Sequence, residues 1–248
     1  MYRSFLLLLS TQFILVKTPL MAQSIPNDPA DNKSVYQNKH ASPGGTGKFY
    51  MGREIAQVMD ASGAGWLERS EREEEEAAMK AIDSMRLKPG MSVADIGAGT
   101  GYYSFRMAQK MKAGRVYAVE VQPPFVEYLR NKKRQLYDSL VIVTTGSAQS
   151  PQLPANSIDL AIMVDVYHEL LYPKAMLDEI RKALRPSGKL LLIEYRGEDP
   201  ELAIKPLHKT TVRQLNRELA ASGFTLDYRG EFLPQQHFLL YRVVGVGR

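Results

Sequence analysis

Three glycines at alternate positions, directly behind a short apolar run, constrain this chain more than any other feature. In the stretch Met91-Ser92-Val93-Ala94-Asp95-Ile96-Gly97-Ala98-Gly99-Thr100-Gly101-Tyr102-Tyr103, residues Val93, Ala94 and Ile96 read as a buried strand, and Tyr103 to Met111 then carries a helical pattern. The expectation is a strand, a tight turn and a helix. A side chain at Gly97, Gly99 or Gly101 would obstruct a ligand lying on the backbone or forbid the positive φ of a sharp turn. Asp95 ends the strand. Nineteen residues beyond Gly101, the run Arg115 to Val119 ends in Glu120, where a carboxylate can accept both hydroxyls of a ribose.

The spacing Asp-x-Gly-x-Gly-x-Gly departs from the dinucleotide fingerprint Gly-x-Gly-x-x-Gly, because the third glycine comes one place early. With Asp95 before the turn and Glu120 after the next strand, the pattern resembles the class I S-adenosylmethionine-dependent methyltransferases over roughly Lys88 to Val244. That resemblance implies S-adenosyl-L-methionine as cofactor, with the glycine loop under its methionine part and Glu120 on its ribose. The family often has an acid after the third strand, directed at the adenine amino group. Here Gly146-Ser147-Ala148-Gln149 stands in its place, so adenine recognition is expected from Ser147, Gln149 or backbone groups. The cofactor-binding set expected is Asp95, Gly97, Gly99, Gly101, Glu120, Val121, Ser147, Ala148 and Gln149.

Strands alternate with helices after the turn. Pro123-Pro124 opens a helix to about Tyr137, and strands follow at Leu140 to Val143, Ser157 to Val164 and Lys189 to Tyr195. Between the last two, Met176, Leu177, Ile180 and Leu184 give a helix behind Pro173 one apolar face. Thr211 and Gln214 form a capping box, Gly223 ends that helix, and Phe224 to Tyr228 and Phe238 to Val244 are close enough to pair antiparallel. The fold class expected is α/β: a Rossmann-like, doubly wound, mostly parallel sheet with a C-terminal antiparallel hairpin and N-terminal cover helices. Residues 88–248 would form the cofactor-binding domain.

The cover is read from residues 49–87. Tyr50, Ile55, Val58 and Met59 suit a short helix; Ser70 and Glu73 form a capping box for a second helix, whose acids from Glu71 to Glu76 read as a solvated helix start. By the resemblance, Tyr50, Trp66 and Arg69 are substrate-side candidates, and a packed cover core explains them equally well. The strand from Ser157 ends in Asp165-Val166-Tyr167-His168-Glu169, at the edge where ligands of open α/β sheets bind. Asp165 and His168 are therefore the catalytic candidates. His168 suits deprotonation of an acceptor near neutral pH, and it suits a capping or packing role as well. Being adjacent, His168 and Glu169 need help from elsewhere to share a metal, and no metal site is expected.

Composition removes some classes. The 248 residues contain no cysteine, which excludes disulfides, thiolate metal sites and cysteine nucleophiles. The formal charge of +5 is accounted for by groups such as Lys132-Lys133-Arg134 at a helix end, and no nucleic-acid-binding motif accompanies it. Residues 1–22 combine Arg3 with the apolar runs Phe5 to Leu9 and Phe13 to Val16, which reads as a signal peptide too short for a stable membrane span. Residues 23–48 are polar and read as a flexible linker. The chain is expected to be periplasmic, or cytoplasmic if that signal does not work. Together these features point to a methyltransferase acting on a small-molecule acceptor. The alternatives are a nicotinamide-dependent oxidoreductase and a non-catalytic nucleoside-binding protein on the same fold.

Overall fold

A computed structural model describes residues 35–245. The signal-peptide reading of residues 1–22 and the first part of the expected linker lie outside the described residues. Three strands come first, β1 (Tyr36–Asn38), β2 (Gly45–Tyr50) and β3 (Arg53–Ala56), followed by short helices α1 (Ala64–Leu67), α2 (Arg72–Glu76) and α3 (Ala78–Ser84). Alternation then begins with β4 (Ser92–Ile96), α4 (Tyr102–Met111), β5 (Arg115–Glu120), α5 (Pro123–Gln135), β6 (Val141–Thr145) and β7 (Ile158–Val164). It closes with α6 (Pro173–Ala183), β8 (Leu184–Tyr195), α7 (Val212–Ala220), β9 (Phe224–Gly230) and β10 (Gln236–Val243).

The large sheet has the order β6-β5-β4-β7-β8-β10-β9. Strands β4 to β8 are parallel, and β10 joins β8 and β9 antiparallel, as the spacing of the last two apolar runs requires. From β4 the chain winds outward to β5 and β6, then returns to place β7 on the other side. The order therefore reverses between β4 and β7, and a crevice opens beyond their carboxyl ends. Period-two alternation splits the apolar side chains between the faces. Leu191 and Ile193 of β8 join a core with Ile82, Met107 and Leu129, whereas Leu190 and Leu192 join one with Met176, Leu177, Leu215 and Leu219.

The N-terminal cover differs from its expectation. Residues 49–59 do not start with a helix: β1, β2 and β3 form a separate antiparallel sheet. Met51 (φ 46°) and Gly52 (φ 88°) make the two-residue hairpin turn, with Tyr50 paired to Arg53. Two consecutive positive φ values match the twist of adjoining strands, and Met-Gly is a weaker signal for this turn than Asn-Gly. The expected linker ends early for the same reason, since Gly45, Thr46 and Gly47 lie in β2 and the Glu54 carboxylate accepts from Gly47 N at 3.0 Å and Ser42 Oγ at 2.5 Å. The expected helix after Ser70 breaks at Ala77 (φ 52°). Glu73 does not complete a capping box with Ser70; its carboxylate accepts from Met79 N at 3.1 and 3.2 Å and so caps α3 instead. Among the described residues no helix is long and apolar enough to cross a membrane.

Candidate active site

The glycine turn joins β4 to α4 with φ values of 75°, 53° and 74° at Gly97, Gly99 and Gly101. Space is as restrictive as conformation: a Cβ on Gly97 would lie 2.6 Å from the Val166 side chain, and one on Gly101 would lie 2.7 Å from Leu129 and Phe105. The turn thus brings bare backbone against the segment that follows β7.

Glu120 closes onto this turn from the end of β5. Its Oε2 accepts from Gly99 N at 2.9 Å, and its Oε1 accepts from Val121 N at 2.7 Å and Gln122 N at 2.9 Å. A carboxylate has about four acceptor positions. Three amides leave one open on Oε2, so one ribose hydroxyl fits beside the amides and a second must displace one. Asp95 is 3 % exposed and accepts from Ser104 Oγ at 2.6 Å. Burial pushes its carboxyl up to about 6, with Glu120 adding to the rise and Ser104 and Arg72 opposing it. Val121 is exposed, and the segment from Ser147 to Gln149 is a surface turn in which Ser147 Oγ accepts from Ser150 N at 3.1 Å.

A roof crosses the crevice. The Met59 backbone accepts from Gln122 Nε2 at 3.0 Å and donates to Glu169 Oε1 at 3.2 Å, which ties it to the segments after both β5 and β7. Lys132 Nζ donates to Glu68 Oε1 at 2.8 Å and to Thr100 O at 3.1 Å, fastening the end of α1 to α5 and the turn. That basic cluster at the end of α5 therefore includes a strut, not only solvated charge.

Beside the turn, helix α2 lies against α4 with the Arg72 guanidinium 4.3 Å from the Tyr102 ring centre. Arg72 Nε donates to Glu76 Oε2 at 2.9 Å, Arg69 Nη2 to Glu76 Oε1 at 2.7 Å, and Tyr195 Oη to Glu76 Oε1 at 3.0 Å. Glu76 is 1 % exposed, so the expectation of a solvated acidic run fails at its last member. The face of α2 opposite its solvated acids packs down into the fold. Burial opposes the charge on Arg72, and the Glu76 carboxylate outweighs it, holding the guanidinium above its usual range. Asp165 (φ 53°) reaches this network: Gln236 Nε2 donates to its Oδ2 at 2.6 Å, and burial together with the charges of Glu76 and Glu194 pushes its carboxyl well above the ordinary range. Asp165 Oδ1, Tyr103 Oη, Thr100 Oγ1 and Gln236 Oε1 are buried without a hydrogen-bond partner among the described residues. Buried polar atoms without partners are costly, so this group suits a polar ligand.

His168 is 1 % exposed, with Nδ1 2.6 Å from Glu194 Oε2 and Nε2 3.0 Å from His208 Nδ1. Both ring nitrogens are engaged within the protein. Of the cover candidates, Arg69 joins the Glu76 network and stacks 3.7 Å from the Trp66 ring, which is half exposed. Tyr50 is fully buried beside Tyr36, with ring centres 5.1 Å apart, and packs as core. Tyr195, Gln236, Glu194 and His208 carried no signal in the sequence, since no local spacing links them, whereas Arg72 and Glu76 are an i,i+4 pair that the solvated reading of the acidic run passed over.

Comparison with known proteins agrees with this geometry. A methyltransferase-domain family model matches residues 94–192. The ubiquinone/menaquinone biosynthesis C-methyltransferase UbiE of Paraburkholderia phymatum is 29% identical over 117 residues, covering 46% of this chain and 47% of that protein. The protein-L-isoaspartate O-methyltransferase of Methanopyrus kandleri is 30% identical over 107 residues, 42% of this chain and 45% of that protein. The matches thus span about half the length of these curated relatives. A crystal structure of a SAM-dependent methyltransferase from Aquifex aeolicus superposes with a TM-score of 0.71 at 26% identity, covering 75% of this chain and 100% of that one. Turn, acid, strand order and these likenesses agree: residues 94–192 carry a methyltransferase domain, built on the fold of the S-adenosylmethionine-dependent methyltransferases.

Proposed function

We propose that this chain transfers the methyl group of S-adenosylmethionine to a small polar acceptor bound between α2 and the segment following β7. The observation that carries the reading is the Glu120 carboxylate hydrogen-bonded to the Gly99 amide, which joins a sugar-binding acid to a glycine turn at the sheet's switch point. The fit rests on the bare backbone at Gly97 and Gly99 and on the unpartnered Thr100 hydroxyl beside them. When bound, the cofactor supplies a methyl group already activated by its sulfonium.

The protein's part is then mostly positioning. Glu120 would accept a ribose hydroxyl, Asp95 would hold the cofactor's ammonium end, and Val121 with the Ser147, Ala148 and Gln149 turn would take the adenine. The Met59 segment of the roof would exclude water. Asp165 Oδ1 and Tyr103 Oη would orient the acceptor, and His168, held by Glu194, keeps the segment after β7 in place. Orientation alone is worth ~7–11 kcal/mol of barrier, which leaves little for a dedicated base to supply. The named relatives act on carbon and on oxygen, and the acceptor atom here is left open by both.

Calorimetric titration with S-adenosylmethionine and with NADH, followed by product analysis of cell extract incubated with methyl-labelled cofactor, tests the reading. Heat with the first cofactor alone and label in a low-molecular-weight product are expected. Binding without any labelled product points to a non-catalytic nucleoside-binding protein, and heat with NADH alone points to an oxidoreductase. The apolar runs Phe5 to Leu9 and Phe13 to Val16 behind Arg3 support export to the periplasm. Mass spectrometry of the chain from fractionated cells checks this, and an intact chain confined to the cytoplasm overturns it.

A further inference from the structure

Sequence alone gave His168 and Glu169 no third ligand, and the fold supplies one. The loop between β8 and α7 carries a single helical turn, Pro206–His208, that brings His208 to the edge following β7. His168 Nε2, His208 Nδ1 and Glu169 Oε1 then face one another, with separations of 3.0, 3.4 and 3.8 Å. A triangle with these edges has its centre about 2.0 Å from every corner, which is the bond length of zinc to imidazole nitrogen and carboxylate oxygen.

The surroundings select the same atoms. Glu194 is fully buried on β8, and its Oε1 accepts from Tyr167 N at 2.8 Å and Val166 N at 3.2 Å, which fixes the carboxylate. Its Oε2 lies 2.6 Å from His168 Nδ1, so that nitrogen carries the proton and Nε2 presents its lone pair toward His208 and Glu169. A carboxylate behind a histidine is the arrangement that orients imidazole for metal. Arg53, the nearby cation, is occupied by Glu218 through Nε and Nη2, both at 2.9 Å, and gives only Nη1 to His168 O at 3.0 Å. The carboxylates of Glu169 and Glu194 thus flank the two imidazoles, while the nearby guanidinium is spent on Glu218. Two nitrogens with one oxygen suit a divalent transition ion, not calcium or magnesium, which take oxygen ligands.

We propose that His168, Glu169 and His208 bind a divalent transition metal of the zinc class, oriented by Glu194 and keeping a coordination position open. Binding does not depend on the cofactor reading, since none of the three side chains belongs to the glycine turn or to Glu120. The metal would join the segment after β7 to the loop before α7, and Glu169 would link it to the roof through Met59 N.

The test uses the purified full-length chain, stripped with a chelator and titrated with Zn²⁺ by calorimetry and with Co²⁺ by visible absorption, with metal content measured by mass spectrometry. One equivalent of Zn²⁺ and visible Co²⁺ bands are expected. Replacing the half-buried His208 by alanine (His208→Ala) should remove the bands and weaken Zn²⁺ binding by at least about 100-fold, and Glu194→Gln should weaken it by roughly 10–100-fold. Circular dichroism and thermal melting confirm that each variant is folded; Glu169→Gln, at a part-exposed position, serves where Glu194→Gln is not. S-adenosylmethionine affinity should stay unchanged in His208→Ala. No stoichiometric uptake by the parent chain, or uptake equal in His208→Ala, means that the cluster is a proton-bridged hydrogen-bond network and overturns the proposal.

Discussion

The glycine turn and the acid that closes onto it come from one run of chain, Asp95 to Gln122, whereas the polar network beside α2, proposed as the acceptor side, gathers Arg72, Tyr103, Asp165, Tyr195 and Gln236 from five elements or loops. On the first side the turn and Glu120 satisfy each other through backbone amides. On the second, buried charges depend on distant partners, and Glu76 alone takes hydrogen bonds from Arg69, Arg72 and Tyr195. Local construction holds a shape with little cost when one side chain is lost. Long-range construction makes each member a condition for the others, so the two sides should respond differently to substitution.

The largest difference is expected from Arg72→Ala. It leaves Glu76 buried with half its compensation gone, and breaking a buried pair costs about 3–5 kcal/mol. Urea denaturation should register that loss; a change under about 1 kcal/mol would mean that Arg69 carries the charge alone and that the acceptor side is less interdependent than argued. Glu120→Ala comes next. Losing a charged acceptor for the ribose should weaken S-adenosylmethionine by roughly 100-fold in calorimetry. Of the freed amides, those of Val121 and Gln122 are part-buried and that of Gly99 is buried, so the fold should lose about 1–3 kcal/mol, less than in Arg72→Ala. Unchanged affinity would remove the sugar-binding role of Glu120 and the cofactor reading with it.

The same contrast explains what could be read in advance. The parallel sheet, the turn and Glu120 were legible because their signals are short: apolar runs of strand length, alternate glycines, one acid at a fixed distance. The hairpin of β2 and β3 was not, because its turn residues are Met51 and Gly52 and its first strand carries Gly45 and Gly47. The division of α2 from α3 at Ala77 was hidden likewise, since alanine favours a continuous helix and only the tertiary packing of Glu76 and Ala78 selects the left-handed break. His208 and Glu194 lie 40 and 26 residues from His168, and only the fold brings them together.

A smaller effect separates the sides by pH. Asp95 holds its proton up to about 6 when folded and up to 3.8 by its ordinary value. Between those limits the folded chain binds a proton that the unfolded chain has released, so this group makes stability fall as pH rises and adds no further change above about 6. An ammonium beside Asp95 favours the ionised form. Cofactor affinity should therefore rise as pH increases toward 6, approaching tenfold per unit well below it, and level off above. Calorimetry across pH 5 to 8 measures this, and proton release on binding near about pH 6 should accompany it. An Asp95→Asn chain should lose the slope, and a slope that persists would assign it to another group.

Tyr195→Phe should have the smallest effect and is the most selective. It keeps the ring and removes only the hydroxyl that donates to Glu76 Oε1 at 3.0 Å. Glu76 keeps Arg69 and Arg72, so no buried charge is stranded, and the loss in stability should be near 1 kcal/mol. Glu76 should turn slightly, however, and because Asp165 lies in its field, the unpartnered Asp165 Oδ1 should shift without any change at the glycine turn. The expected signature is a several-fold higher KM for the acceptor at constant S-adenosylmethionine affinity. Were cofactor affinity to fall in step with acceptor KM, the two sides would be one cooperative unit, and the independence of the backbone-built turn from the side-chain network would have to be given up.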